Sequence, residues 1–432
     1  MKIKFILSGS IILMSHNIYA NKVCTPDYTD TDATIIIQKA LNECQNNTVV
    51  LKSGIWLSGP LNIPSNTTLQ LNKNSVLKAN RRQKFKAAYI KNAAQFGEAL
   101  LYASNVSNIR IIGEGEIDGS GQIDWEVATR LRNDMKKGNY DEFKQRFPDV
   151  PPSNGMPRPW LLEFDHVKNA TIDGVNFVNS PMWSVVVRNS DDIRIKNSKI
   201  FNPDEAPNTD GIDIVSSRNI QLTNLEITTG DDNIAIKSGL DKRSLGSQGI
   251  SENIQISNVR IGTGHGLSIG SETVHGIRNI QISDIEFKGT DNGIRIKSAR
   301  DRGNIIENIS AQNLKMQDVT YPIVLTSIYS SMTGGYDKNF LNNVEKQDIV
   351  STTPIIRNIS IQNLTATNAL QAGLISGLPE SPIQNLKLQN ISIEAQSGLQ
   401  NRYAEGTLKN VHIKTERGLS TQNGPAPNLT AY

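Results

Sequence analysis

One phrase recurs down the chain: Asn, aliphatic, x, aliphatic, x, Asn or Asp, aliphatic, x, aliphatic. It is read at Asn219-Ile220-Gln221-Leu222, Asn253-Ile254-Gln255-Ile256, Asn279-Ile280-Gln281-Ile282, Asn308-Ile309, Asn358-Ile359-Ser360-Ile361 and Asn385-Leu386-Lys387-Leu388. Looser copies open at Asn108, Asn169, Asp192 and Asn410. Starts separated by 34, 26 and 29 residues, and later by 27, have the spacing of a solenoid in which each repeat is one coil. Apolar and polar residues alternate within each phrase, which is the period of a strand, and Ile and Val favour extended backbone. Helical spacing is nearly absent after residue 160. Short strands once per coil, with Asn, Asp and Gly at the corners, predict an all-β, single-domain parallel β-helix. Two β-sandwiches would give the phrase no reason to recur.

Composition narrows the partners. In 432 residues, charged residues make up 20% and the net charge is +3, too balanced for nucleic-acid binding by bulk electrostatics, while 37% hydrophobic residues are too many for a disordered chain. Met1-Lys2-Ile3-Lys4, an apolar stretch from Phe5 to Met14 and a small residue at Ala20 read as a signal peptide over 1–20. Cleavage leaves a mature domain of 21–432 that is exported, through a periplasm in transit, and secreted. No later run reaches membrane-spanning length, so no membrane partner is expected. Cys24 and Cys44 flank a segment, 31–43, in which Ile35, Ile36, Ile37, Ala40 and Leu41 recur at helical spacing. That helix is expected to cap the open N-terminal end of the solenoid. In an oxidising compartment the two cysteines could close a loop around it, and two separate buried thiols are the alternative.

Two stretches break the repeat. Residues 122–159 are charged and Pro-rich and read as a long loop with a short helix around Ala128 to Lys137; residues 330–353 form a second excursion. Such loops commonly wall a binding groove, and an inert surface insertion is the other reading.

A second phrase occurs only mid-chain: Asp210-Gly211-Ile212-Asp213-Ile214-Val215-Ser216, Asp232-Asn233-Ile234-Ala235-Ile236-Lys237-Ser238, His265-Gly266-Leu267-Ser268-Ile269-Gly270-Ser271 and Asn292-Gly293-Ile294-Arg295-Ile296-Lys297-Ser298. Aligned residue for residue, these segments place Asp210, Asp232, His265 and Asn292 in one column across strands about 4.8 Å apart. The period of two sends Ile294 and Ile296 inward, and Arg295 and Lys297 outward. The picture is a groove with carboxylates in the middle and cations beside them. Asp210, Asp231 and Asp232 supply what hydrolysis of a glycosidic bond needs, a protonated acid for the leaving oxygen and an ionised base for water. Crowding raises one carboxyl pKa, which suits that group to be the acid. Arg295 and Lys297 suit an anionic sugar carboxylate. Three Asp could also hold a metal, but no second carboxylate cluster completes a hard-cation shell.

Asn208-Thr209-Asp210, Gly230-Asp231-Asp232, Gly264-His265-Gly266 and Arg295-Ile296-Lys297, in this order, resemble the polygalacturonases, pectin-cleaving glycoside hydrolases built on a right-handed parallel β-helix. The resemblance runs from about Asp32 through at least Tyr329, and Gly262-Thr263 with Ser268-Ile269-Gly270-Ser271-Glu272 looks like the bacterial branch. It implies Asp231 as general acid, and Asp210 with Asp232 as the pair activating water, with inversion at the anomeric carbon. His265 is implied to support the aspartates. Arg295, Lys297 and Tyr329 are implied to bind galacturonate, and Asn208 to shape the site. No cofactor or metal is implied, and the expected partner is polygalacturonate bound by a monomer. Endo action is the leading expectation and exo action the second. A calcium-dependent pectate lyase and a non-catalytic polysaccharide-binding β-helix are the rivals.

Overall fold

The computed structural model describes residues 23–85, 99–138, 140–146, 156–239, 249–329 and 344–431; the expected signal peptide lies outside them. Strands pair in parallel from coil to coil. One series runs Ile220↔Ile254, Ile254↔Ile280, Ile280↔Ile309, Ile309↔Ile359 and Ile359↔Leu386, so each start of the recurring phrase opens one coil. These aliphatic residues are buried and belong to one continuous core, which is what alternating burial on a wound strand produces.

The structure also explains the asparagines. Asn219, Asn253, Asn279, Asn308, Asn358 and Asn385 all have φ between 49° and 58°, the left-handed region that Asn tolerates better than most residues. From Asn253 onward each side-chain amide donates to the Asn one coil earlier, as in Asn279 to Asn253 at 3.2 Å and Asn308 to Asn279 at 3.1 Å, and Asn219 donates to Asp191 at 2.7 Å. The second Asn or Asp of the phrase builds a parallel ladder in two runs, from Asn258 to Asn224 and from Asn390 through Asn363 and Asn313 to Asp284. Asn410 belongs to this second ladder, donating to Asn390 at 3.0 Å, rather than opening a phrase as expected.

Helix α1 (Thr34–Glu43) closes the N-terminal end. Ile37 and Leu41 point into the core, and Gln38 exchanges side-chain hydrogen bonds with the backbone of Asn62. Ile35, expected on the apolar face, is exposed. Cys24 and Cys44 are joined by a disulfide, which ties the first strand to the end of this helix.

The first insertion differs from expectation. Helix α2 (Gln122–Lys136) starts six residues earlier than the sequence pattern suggests, and α3 (Tyr140–Arg146) follows. The reason is at its start: the Trp125 indole is buried and donates to the Ser180 carbonyl at 3.0 Å, and Asp124 pairs with Arg81 at 2.5 Å. The charged sequence is thus anchored to the solenoid. The second excursion occupies the one coil in which Asn308 and Asn358 stack across 50 residues; 330–343 of it lie outside the described residues, and 344–353 carry no strand.

Candidate active site

Strands Ile212–Val215, Ile234–Lys237, Leu267–Gly270, Asn292–Lys297 and Tyr321–Thr326 are consecutive rungs of one sheet. The registers Ile212↔Ile234, Ile234↔Leu267 and Leu267↔Ile294 place Asp210, Asp232, His265 and Asn292 at equivalent positions two residues upstream. The expected column is therefore present. The glycines around His265 make its approach possible: Gly266 has φ +82°, and a Cβ there would lie 1.9 Å from the Asn292 carbonyl.

Every residue expected in the site converges there. The Asp231 carboxylate meets His265 Nδ1 at 2.9 Å, and the His265 backbone N–H donates to the Asp231 carbonyl at 2.9 Å. His265 Nε2 faces Asp291 at 3.3 Å. Asn208 donates to Asp231 Oδ2 at 3.4 Å. Asp232 accepts from Lys297 Nζ at 2.7 Å, from Ser268 Oγ at 2.9 Å and from the Arg295 guanidinium. Lys297 Nζ also lies 5.3 Å from the Tyr329 ring centroid. Arg295 and Lys297 point outward from the core as expected, yet they are only 6% and 5% exposed, because both fold onto Asp232.

Electrostatics divides the three carboxylates. Burial pushes Asp210 well above the ordinary range, helped by Asp213 and Asp231 and opposed by Lys237. Burial acts the same way on Asp231, but the facing His265 and its hydrogen bond, then Lys297 and Arg132, hold it below that range. At Asp232, Arg295 and Lys297 overcome burial and bring it down to about 2. Burial disfavours the charge of His265, but Asp231 outweighs this and raises it. One carboxyl of the three is raised, as the sequence suggests, with burial ahead of crowding as the cause, and it is Asp210, not Asp231.

Asp231, Asp232 and His265 offer one donor atom each within 4.8 Å of one another, the spacing of a metal site. Arg295, Lys297 and His265 already face those carboxylates, so a metal would compete with the protein's own cations.

Residues 53–416 match the family described as glycosyl hydrolases family 28. The chain belongs to this family. It is 34% identical over 349 residues to an endo-polygalacturonase of Pectobacterium carotovorum subsp. carotovorum, covering 76% of this chain and 80% of that relative. It is 31% identical over 410 residues to an endo-polygalacturonase of Pectobacterium parmentieri, covering 90% of each. The solved structure of the polygalacturonase from Erwinia carotovora ssp. carotovora superposes with TM-score 0.73 at 28% identity, covering 89% of this chain and 96% of that one.

Within this family 28 site, three residues escape a reading of the sequence alone. Arg158, at the end of the first insertion, is fully buried; it donates to the Pro181 and Pro207 carbonyls at 2.9 and 2.7 Å and to Asn208 Oδ1 at 2.9 Å. This leaves the Asn208 NH2 to face Asp231. Asp213 and Lys237 form a buried ion pair at 2.5 Å. Their outward register was visible in the aligned segments, but nothing in the sequence shows that Lys237 turns back over its neighbouring rung. Arg158 has no comparable signal, since it stands in a segment with no repeat to align.

Proposed function

We propose that this chain is a secreted, endo-acting polygalacturonase that hydrolyses α-1,4 galacturonosyl linkages of polygalacturonate with inversion. The observation that carries the proposal is the pair of buried cations beside Asp231: Arg295 and Lys297 converge on Asp232 from one side of the carboxylate cluster. A guanidinium and an ammonium set side by side match a galacturonate carboxylate in charge and geometry. Tyr329 stands beside Lys297 to pack against the same sugar.

Asp231 is the proton donor to the leaving oxygen, and Asp210 with Asp232 activates the attacking water. Burial and the neighbouring carboxylates favour a proton on Asp210, while His265 favours the ionised form of Asp231. A bound galacturonate carboxylate brings a negative charge beside Asp231 that offsets the cations, which raises its affinity for the proton. Asn208, oriented by Arg158, offers an N–H to Asp231.

The test is incubation of the purified chain with polygalacturonic acid. New saturated reducing ends, unaffected by chelator, are expected; unsaturated products that vanish with chelator would point to a lyase instead. Early products of mixed length mark endo action, whereas mono- or digalacturonate alone would mark exo action. Activity is expected to fall as substrate carboxylates are methyl-esterified. For export, the N-terminus of protein recovered from culture fluid should be Asn21.

A further inference from the structure

Behind Asp210 lies a fourth carboxylate that the mechanism above does not use. Asp213 and Lys237 point outward on adjacent rungs, where the register pairs Asp213 with Ala235 and Val215 with Lys237. The small Ala235 leaves space for the lysine to cross diagonally. Lys237 Nζ donates to Asp213 Oδ1 at 2.5 Å and to Asp210 Oδ2 at 3.4 Å, and lies 3.7 Å from the Trp183 ring centroid. The lysine and Asp213 side chains are 7% and 0% exposed, and the ammonium is held among Asp213, Asp210 and the Trp183 ring. Asp213 Oδ2 is buried with no hydrogen-bond partner, an arrangement that costs stability.

We propose that Lys237 and Asp213 are positioning residues for Asp210: the ammonium grips one Asp210 oxygen and leaves the other to the attacking water, while Asp213 competes for the same positive charge and so tunes Asp210 as a base. The inference rests on the water-activating role given to Asp210. Other charged groups facing Asp210 are Asp231, Asp232 and Arg158, and Asp213 also faces Asp232 and Glu272. None of these bridges the two carboxylates as Lys237 does.

The two partners act with opposite sign, which a merely structural role would not reproduce. In Asp213→Asn, Lys237 serves Asp210 alone, so the acid limb of the kcat against pH profile should move down by about one pH unit. In Lys237→Met the limb should move up by about one unit, with kcat at neutral pH down about tenfold and KM little changed; Lys237→Arg should recover most of the loss. Shifts in the same direction, unmoved limbs, or an effect confined to KM would overturn the proposal. If Lys237→Met does not fold, Asp213→Asn/Lys237→Met, which removes both charges, replaces it, and its limb should lie above that of Asp213→Asn, which keeps the lysine; a limb at or below that of Asp213→Asn would overturn the proposal. Infrared difference spectra read the same coupling without turnover. Asp213→Asn should lower the pH at which the remaining buried carboxyl loses its protonated carbonyl band, and an unchanged band would overturn the inference even in an enzyme that cleaves polygalacturonate. If wild type fails to cleave it, the functional proposal falls, and the infrared result alone decides this one.

Discussion

Two faces of the same coils carry ion pairs from rung to rung or across one rung, and they differ in what surrounds them. On the face beside the asparagine ladders, Arg278 meets Glu252 at 2.7 Å and Arg260 meets Glu226 at 3.3 Å, with side-chain exposures of 46% and 17%, and 70% and 44%. On the groove face, the Lys297–Asp232 and Lys237–Asp213 pairs have side chains no more than 7% exposed. The register acts directly only on the outer face: Arg278 stands across from its partner Glu252, whereas Arg295 stands across from Ser268 and reaches past it to Asp232 on the rung before. Exposed pairs contribute about 0–1 kcal/mol. Buried ones lose hydration that their attraction does not always restore. A solenoid can therefore repeat charges along its outer face almost freely, whereas each groove charge depends on a buried partner to offset its lost hydration and is kept for chemistry.

The comparison breaks most sharply at Asp231. Asp231→Asn is expected to lower kcat by about 10²–10⁴; turnover near the wild-type level would move the acid to Asp210. Lys297→Ala affects both function and fold. KM for polygalacturonate should rise, and urea unfolding should show a loss of about 3 kcal/mol, since Asp232 keeps Arg295 as a partner. A change in KM with no loss of stability would mean that the pair on Asp232 contributes nothing to folding.

Acidity separates the faces next. Asp232 titrates lower in the folded chain than in the unfolded one, so its contribution is complete above about pH 3.9 and is lost as pH falls through about 2. His265 titrates higher when folded; its contribution is complete below the unfolded value of about 6.5 and disappears as pH rises through the raised folded value. Denaturation of His265→Gln across this alkaline range should show a flatter pH dependence than wild type. An identical slope would remove the His265–Asp231 pair from the account.

Smaller effects belong to the outer face. Asn279→Ala puts alanine at φ 58° and removes its amide from the ladder, an expected loss of about 1–2 kcal/mol. Arg278→Ala should cost less than about 1 kcal/mol, and less again in high salt.

The winding was legible because each coil repeats its own pattern: the alternation located the strands, and alignment of four segments gathered Asp210, Asp232, His265 and Asn292 before any coordinates. What stayed hidden depends on side-chain direction rather than on register. Arg295 and Lys297 face outward by parity, but their closure onto Asp232 follows from reach and burial. Likewise the charges of α2 suggested a solvated loop, while Trp125 and Asp124 pin its start to the solenoid. Asp231 was legible as part of the cluster, but its low proton affinity follows from His265 approaching to 2.9 Å, a distance no spacing in the sequence encodes.

The asparagine ladders have one further consequence. Coils as different as 26 and 50 residues place their corner amides in contact with the coil before, so contour length added at one bend leaves the lattice spacing of the others untouched. Rim architecture and reaction centre are thus separable modules: a groove could be lengthened, roofed or closed at one end by loop grafting while the stacked carboxylates keep their geometry.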